Sequence, residues 1–202
     1  MSKKVIPADS TTEEKIKEAG RKVFIRKGYA GTTTREIADE AGLTHALVNY
    51  YFRSKDKLFD IVTQEQVAAF FGKIYPIVNN EDTNLDEKVK GLINYYTEIL
   101  IEEPGMVFFI SSEMQNRPER IAKNMEDNQG LAKAVIARQL HEARPDIHPM
   151  QLMMCILGMI IFPYISRGVF QRSMGISEND IIKMLKERAE FLPALIKAML
   201  SN

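Results

Sequence analysis

The chain has 202 residues, 45% hydrophobic and 27% charged, which fits one or two folded domains with a real core and excludes a disordered polymer. Its 27 basic and 27 acidic side chains cancel, yet residues 1–57 hold 12 Lys/Arg against 8 Asp/Glu, and residues 58–202 hold 15 against 19. A basic head on an acidic body suits a polyanion-binding module joined to a regulatory one. The lone cysteine, Cys155, cannot form an internal disulfide and fits a reducing cytoplasm; its apolar neighbours predict a buried, inert thiol. The first residues lead into polar sequence, so no signal peptide is expected. The longest apolar run, Leu152 to Ile165, is shorter than the ~20 residues of a spanning helix, so no membrane partner is expected either.

Helical spacing recurs along the chain, and strand-like alternation does not, so the fold class is all-α with about nine helices. Residues 1–10 read as a loose tail. A first helix opens near Thr11, buries Ile16, Ala19, Val23 and Phe24, and closes at Gly28. The second starts at Thr33, which has capping-box spacing to Glu36, and buries Ile37, Ala38 and Ala41. Gly42 turns the chain. Thr44 caps a third helix burying Val48, Tyr51 and Phe52, and Ser54 caps a fourth through Leu58, Phe59, Val62, Val67 and Phe70. Five more helices follow, at roughly 84–103, 105–115, 117–143, 149–172 and 177–200. The domain division is 1–54 for the head and 55–202 for the body.

Two short helices about a tight turn form a helix-turn-helix, whose second helix enters the major groove. Helix N-termini attract phosphate, so the Thr32-Thr33-Thr34 run and Thr44-His45 are candidate contacts, with Arg35, Arg53, Lys55 and Lys57 supplying charge. Thr33, Arg35, Tyr50 and Lys55 are assigned mainly to positioning on phosphates, and Thr34 and Thr44 are DNA-binding candidates beside them. His45, Ala46 and Asn49 are the candidate base readers, Asn49 being able to pair with adenine through two hydrogen bonds.

Residues 12–60 resemble the N-terminal domain of TetR-family transcriptional regulators (TetR/AcrR-type). The matching pieces are Phe24-x3-Gly28-Tyr29, Thr33-Thr34-x2-Ile37-Ala38-x2-Ala41-Gly42-Leu43-Thr44, Tyr51-Phe52 and Ser54-Lys55-x2-Leu58. Val48-Asn49 stand where family members usually carry Leu-Tyr, and Tyr50 can stand in for the missing hydroxyl. The resemblance implies a DNA-binding regulator of transcription, commonly a repressor, with a C-terminal domain that dimerises and often binds a small effector.

The body supports this independently. All ten methionines after the first lie at or beyond residue 106, and flexible, polarizable side chains suit a pocket for an apolar or amphipathic molecule. Tyr95, Phe109, Met114, Met125, Cys155 and Met159 are the candidate ligand-binding residues. Helix 149–172 is apolar on nearly all sides, so a second subunit is expected to cover part of it. Ile161, Ile165, Met184, Arg188, Leu192 and Leu195 are the candidate homodimer face. Pro163 and Pro193 should kink or break their helices.

No catalytic constellation is present, so the chain is not expected to be an enzyme, and no cofactor or metal is called for. His141-Glu142-x3-Asp146-x-His148 fits no zinc spacing and reads as a solvated loop. The expected partners are double-stranded DNA, a second copy of the chain and a small effector. The competing reading is a helical small-molecule-binding or scaffold protein whose head has lost DNA binding.

Overall fold

The structure is a computed structural model that describes residues 10–127, 130 and 133–201. The tail expected at residues 1–10 lies outside it, except Ser10, which already belongs to the first helix. The described residues form eleven α-helices and no strand. They fall into two compact units, one ending at Ala68 and one beginning at Ala69, so the division lies inside the fourth helix.

In the first unit α1 (Ser10–Lys27) packs on α2 (Thr34–Ala41), and α2 on α3 (His45–Phe52). The first half of α4 (Lys55–Val78) completes this core. Its buried set is the one the spacing predicts on α1, with Ile37, Val48, Phe52, Leu58 and Phe59 facing it; Ala41 and Tyr51 are only half-buried. Phe24 is fully buried and meets Phe59 edge-to-face, ring centroids 4.8 Å apart. The turn between α2 and α3 depends on Gly42, whose φ of 65° lets Leu43 donate back to the Ala38 carbonyl at 2.9 Å. A Cβ at Gly42 would touch nothing within 4 Å, so the requirement is the backbone conformation and not space.

In the second unit α5 (Leu85–Glu102) is central, packing on α6 (Pro104–Asn116), α8 (Val135–Ala143), α9 (Pro149–Ile165) and α11 (Glu178–Leu200). Between them come α7 (Pro118–Asp127) and α10 (Arg167–Met174). The turn before α5 is held from inside by Lys88, whose buried ammonium donates to the carbonyls of Asn80 and Thr83 and to Thr83 Oγ1. All three of its N–H bonds have acceptors, which is how a buried lysine is tolerated.

Two predicted helices are each two. The stretch 117–143 divides into α7 and α8, with Gly130 at φ 68° between them. The stretch 149–172 divides after Ile165, where α9 and α10 bend by 46°. The bend falls three residues beyond Pro163, which itself lies inside α9, as Pro193 does inside α11. Pro163 has no amide hydrogen, so the Met159 carbonyl one turn back lacks its helical donor. Arg188 of α11 supplies it, Nη2 at 2.8 Å and Nε at 3.3 Å. Among the described residues, no single helix is long and apolar enough to cross a membrane.

Candidate functional site

The second helix of the helix-turn-helix, α3, is fixed at its start by local chemistry. Thr44 accepts the Leu47 amide at 3.4 Å, while Val48 and Phe52 anchor its inner side. Its outer side exposes His45, Ala46, Asn49 and Tyr50. His45 is tied back to α2, its Nε2 lying 2.8 Å from Thr34 Oγ1. The Asn49 amide nitrogen is 3.3 and 3.4 Å from the two ring nitrogens of His45, so it rests against the ring instead of lining up with one lone pair. Thr34, His45 and Asn49 therefore form one polar patch on the exposed side of the helix-turn-helix. Arg35 is exposed one residue from Thr34.

Other expected contacts are already occupied. Thr32 is buried, its hydroxyl donating to the Gly28 carbonyl at 2.7 Å, so it is not part of an exposed hydroxyl run. Thr33 forms the capping box in full. Its amide and hydroxyl both meet Glu36 Oε2, at 2.9 and 3.0 Å, and its Oγ1 accepts the Glu36 amide. The free amide expected at Thr33 is thus taken by a carboxylate of its own chain. Lys55 is half-buried, and its ammonium donates to the carbonyls of Tyr29 (3.0 Å) and Thr32 (2.9 Å) while lying 4.1 Å from the Tyr29 ring centre. Two of its three donors are spent inside the head, so Lys55 closes the loop before α2 from behind.

Lys27, followed by the amide and hydroxyl of Thr33, holds the Glu36 carboxyl down to about 2 from the ordinary 4.5. A carboxyl whose folded pKa is depressed contributes stability above its unfolded pKa and loses it as pH falls through the folded one. The head should therefore weaken between pH ~4.5 and ~2 through Glu36. Urea midpoints of wild type and Glu36→Gln should be separated at pH 7 and converge near pH 2. A gap of constant size across that range would show that Glu36 does not carry the acid sensitivity.

The second unit contains an apolar cavity of about 120 Å³. Phe70, Phe71 and Ile74 of α4, Leu92 and Tyr96 of α5, Ile110 and Met114 of α6, and Met125 of α7 line it with Met153, Leu157 and Ile161 of α9. Among the described residues no charged side chain lines it, and Ser111 and Tyr96 bring the only hydroxyls. Burial pushes the Tyr96 hydroxyl well above the usual tyrosine range, so it stays protonated.

Of the predicted ligand residues, Met114 and Met125 line this cavity, while Tyr95, Phe109, Cys155 and Met159 do not. Helical phase is the reason. The lining stripe of α9 is Met153, Leu157 and Ile161, which turns residues 155 and 159 away; α6 and α5 do the same to Phe109 and Tyr95. Tyr95 is buried with its hydroxyl donating to the Phe70 carbonyl at 2.9 Å, and burial pushes that hydroxyl up to about 12. Cys155 is exposed, contrary to the buried thiol expected from its neighbours, because the outer face of α9 is itself apolar.

That outer face carries Met154, Phe162 and Ile165, matched on α11 by Met184, Phe191 and Leu195, each about half exposed. Of the expected homodimer residues, Ile165, Met184 and Leu195 belong to it. Leu192 does not, being 1% exposed in its own subunit's core, and Phe191 takes the outward place beside it. Ile161 faces the cavity, and Arg188 is committed to the Met159 carbonyl. In the loop read as solvated, Arg144 pairs with Asp146 at 2.7 Å and His148 accepts the Met150 amide to cap α9.

Residues 16–62 match the family described as bacterial regulatory proteins, tetR family. The transcriptional repressor NicS of Pseudomonas putida is 25% identical over 127 residues, 62% of this chain and 59% of NicS, so the chain spans about three fifths of that relative. The fatty acid degradation regulator FadR of Bacillus halodurans superposes with a TM-score of 0.64 at 20% identity, covering 94% of this chain and 96% of that one. FadR of Bacillus subtilis, solved in complex with stearoyl-CoA, gives 0.62 at 15% identity over 89% and 97%. The match lies on the helices whose caps, turn and buried face were described above, and the fold agrees over nearly the whole length. Residues 16–62 thus carry the helix-turn-helix domain of the tetR family of bacterial regulatory proteins.

Proposed function

We propose that the protein is a ligand-responsive transcriptional repressor of the cytoplasm that binds a near-palindromic operator as a homodimer. The observation that carries this reading is the exposed Thr34–His45–Asn49 patch, displayed by a helix whose other side is sealed in a small core. In the proposed division, residues 1–54 form the DNA-binding head and 55–202 the effector-binding and dimerisation body. Thr34, Arg35, Thr44 and Tyr50 contact phosphates, and His45, Ala46 and Asn49 face base edges. Thr33 and Lys55 serve the same surface from beneath, by holding α2 and its loop in place.

Two heads present their reading helices one DNA turn apart, ~34–36 Å, when the outer faces of α9 and α11 pair across a two-fold axis. A half-exposed apolar face on two adjacent helices is the kind of surface a second subunit covers. The effector enters the cavity of the body. A cavity of about 120 Å³ is near the size that accepts a single small ring, so a larger ligand must displace its methionine walls. With no charged wall, the part of the effector that is buried is uncharged. The acyl-CoA in the Bacillus subtilis structure suits that requirement through its chain.

In this reading the ligand-free dimer grips DNA, and effector favours a conformer with wrongly spaced heads, with α4 carrying the shift. The effector moves the equilibrium only by its differential affinity for the two conformers, and ~100-fold corresponds to about 2.7 kcal/mol. Isothermal titration of effector with and without a selected operator checks this. The operator should weaken effector binding by the same factor by which effector weakens operator binding. DNA affinity absent for every duplex would favour a helical small-molecule-binding protein whose head no longer reads DNA.

A further inference from the structure

Arg53 stands at a backbone position that a longer side chain should avoid. It follows the last residue of α3 with φ 60° and ψ −33°, and it is the sole non-glycine residue with positive φ among the described residues. The Ser54 amide donates to the Phe52 carbonyl at 2.7 Å across it, so Arg53 is the central residue of a γ-turn of the rare, strained hand. Glycine adopts that conformation without a Cβ penalty.

The surrounding chain dictates the turn but not the residue. Phe52 is anchored in the core, and Ser54 caps α4 by accepting the Lys57 amide at 3.2 Å, which leaves one residue to reverse the chain. The Arg53 amide closes α3 by donating to the Asn49 carbonyl at 2.9 Å, a bond any residue but proline makes. Its guanidinium forms no hydrogen bond, ion pair or ring contact among the described residues, and it is exposed. Nothing in the head explains why an arginine occupies a strained turn.

Its placement does. Ala46, Asn49 and Tyr50 form an exposed stripe of α3, and Arg53, exposed as well, follows directly on the helix's last residue. The neighbouring cation that sequence suggests for phosphate, Lys55, has spent two donors on the carbonyls of Tyr29 and Thr32. Backbone strain retained at one exposed position is a signature of a functional contact.

We infer that Arg53 binds a DNA backbone phosphate at the end of the recognition helix and is held in a strained turn for that purpose. This rests on the proposed DNA-binding reading. The guanidinium fork suits phosphate oxygens in two parallel hydrogen bonds, and its charge releases a counterion on binding.

The test separates charge from strain by measuring anisotropy of a labelled 40-base-pair mixed-sequence duplex between 50 and 300 mM salt, alongside thermal melting. Arg53→Lys keeps charge and strain, and should keep the affinity, salt slope and Tm of wild type. Arg53→Gln keeps the strain and loses the charge. Its affinity should fall about tenfold at low salt, and its salt slope by about one per engaged head, with Tm unchanged. Arg53→Gly loses both. It should bind as Arg53→Gln does, while Tm rises by about 2–4 °C. If wild type binds steeply with salt and Arg53→Gln matches its slope, the assignment of Arg53 is overturned while the DNA reading stands. A Tm loss in Arg53→Gln, or no gain in Arg53→Gly, would overturn it too, by giving the guanidinium a structural role or the turn no strain. Wild type without salt-dependent binding takes both readings with it.

Discussion

Alanine at both His45 and Asn49 is expected to lower affinity for a selected operator about 10²–10⁴-fold while leaving binding to unrelated duplex within about threefold. Each lost base contact is worth roughly 1–3 kcal/mol of discrimination, and the dimer loses each one twice. Both side chains are exposed, so the core of the head does not register the change. The two are coupled, because the Asn49 amide rests on the imidazole that Thr34 holds from α2. His45→Ala alone should therefore cost part of what Asn49 contributes, and the single effects should not add up to the double. A consensus selected with the double variant should be blurred at the positions these residues read. An unchanged consensus would remove α3 from the groove.

Phe24→Ala should have the larger effect on folding. Phe24 is fully buried, and its ring meets Phe59 edge-to-face at 4.8 Å. Truncating such a ring costs about 3–5 kcal/mol, from lost transfer energy and the cavity left behind. That is a large share of the ~5–15 kcal/mol that holds a domain together. The described helices divide into two compact units, so the loss should fall on the one that ends at Ala68. Urea melts followed by far-UV circular dichroism should split into two steps, the earlier one accounting for α1 to α3, with operator binding lost at that step. A single transition at the wild-type midpoint would mean that Phe24 does not anchor the head.

The head was legible in the sequence because its determinants are local. The Thr33/Glu36 box, Gly42, the Thr44 cap and the buried stripe of α1 each act within a few residues, and each stands where spacing put it. Contacts set by distant chain were hidden. Nothing near Lys55 announces that its ammonium reaches the Tyr29 and Thr32 carbonyls, and nothing near Arg188 announces Met159. In the body, apolar composition marked the right helices but not their phase. An outward apolar face and an inward one look alike until the fold assigns them, so composition alone points Cys155 inward and Leu192 outward, the reverse of the fold. The break between α7 and α8 does carry a local signal, Gly130, whose positive φ no continuous helix accommodates.

Pro163 and Arg188 answer one another, since the ring that deprives the Met159 carbonyl of its donor is what gives the guanidinium its employment. The two sites should consequently be inherited together. A descendant that replaced the proline would restore the ordinary helical bond and set a positive charge loose beside Phe191, 5.6 Å from its ring centre. If the outer faces of α9 and α11 pair as proposed, the liberated cation would confront its own symmetry mate, and a substitution that straightens one helix would push two subunits apart.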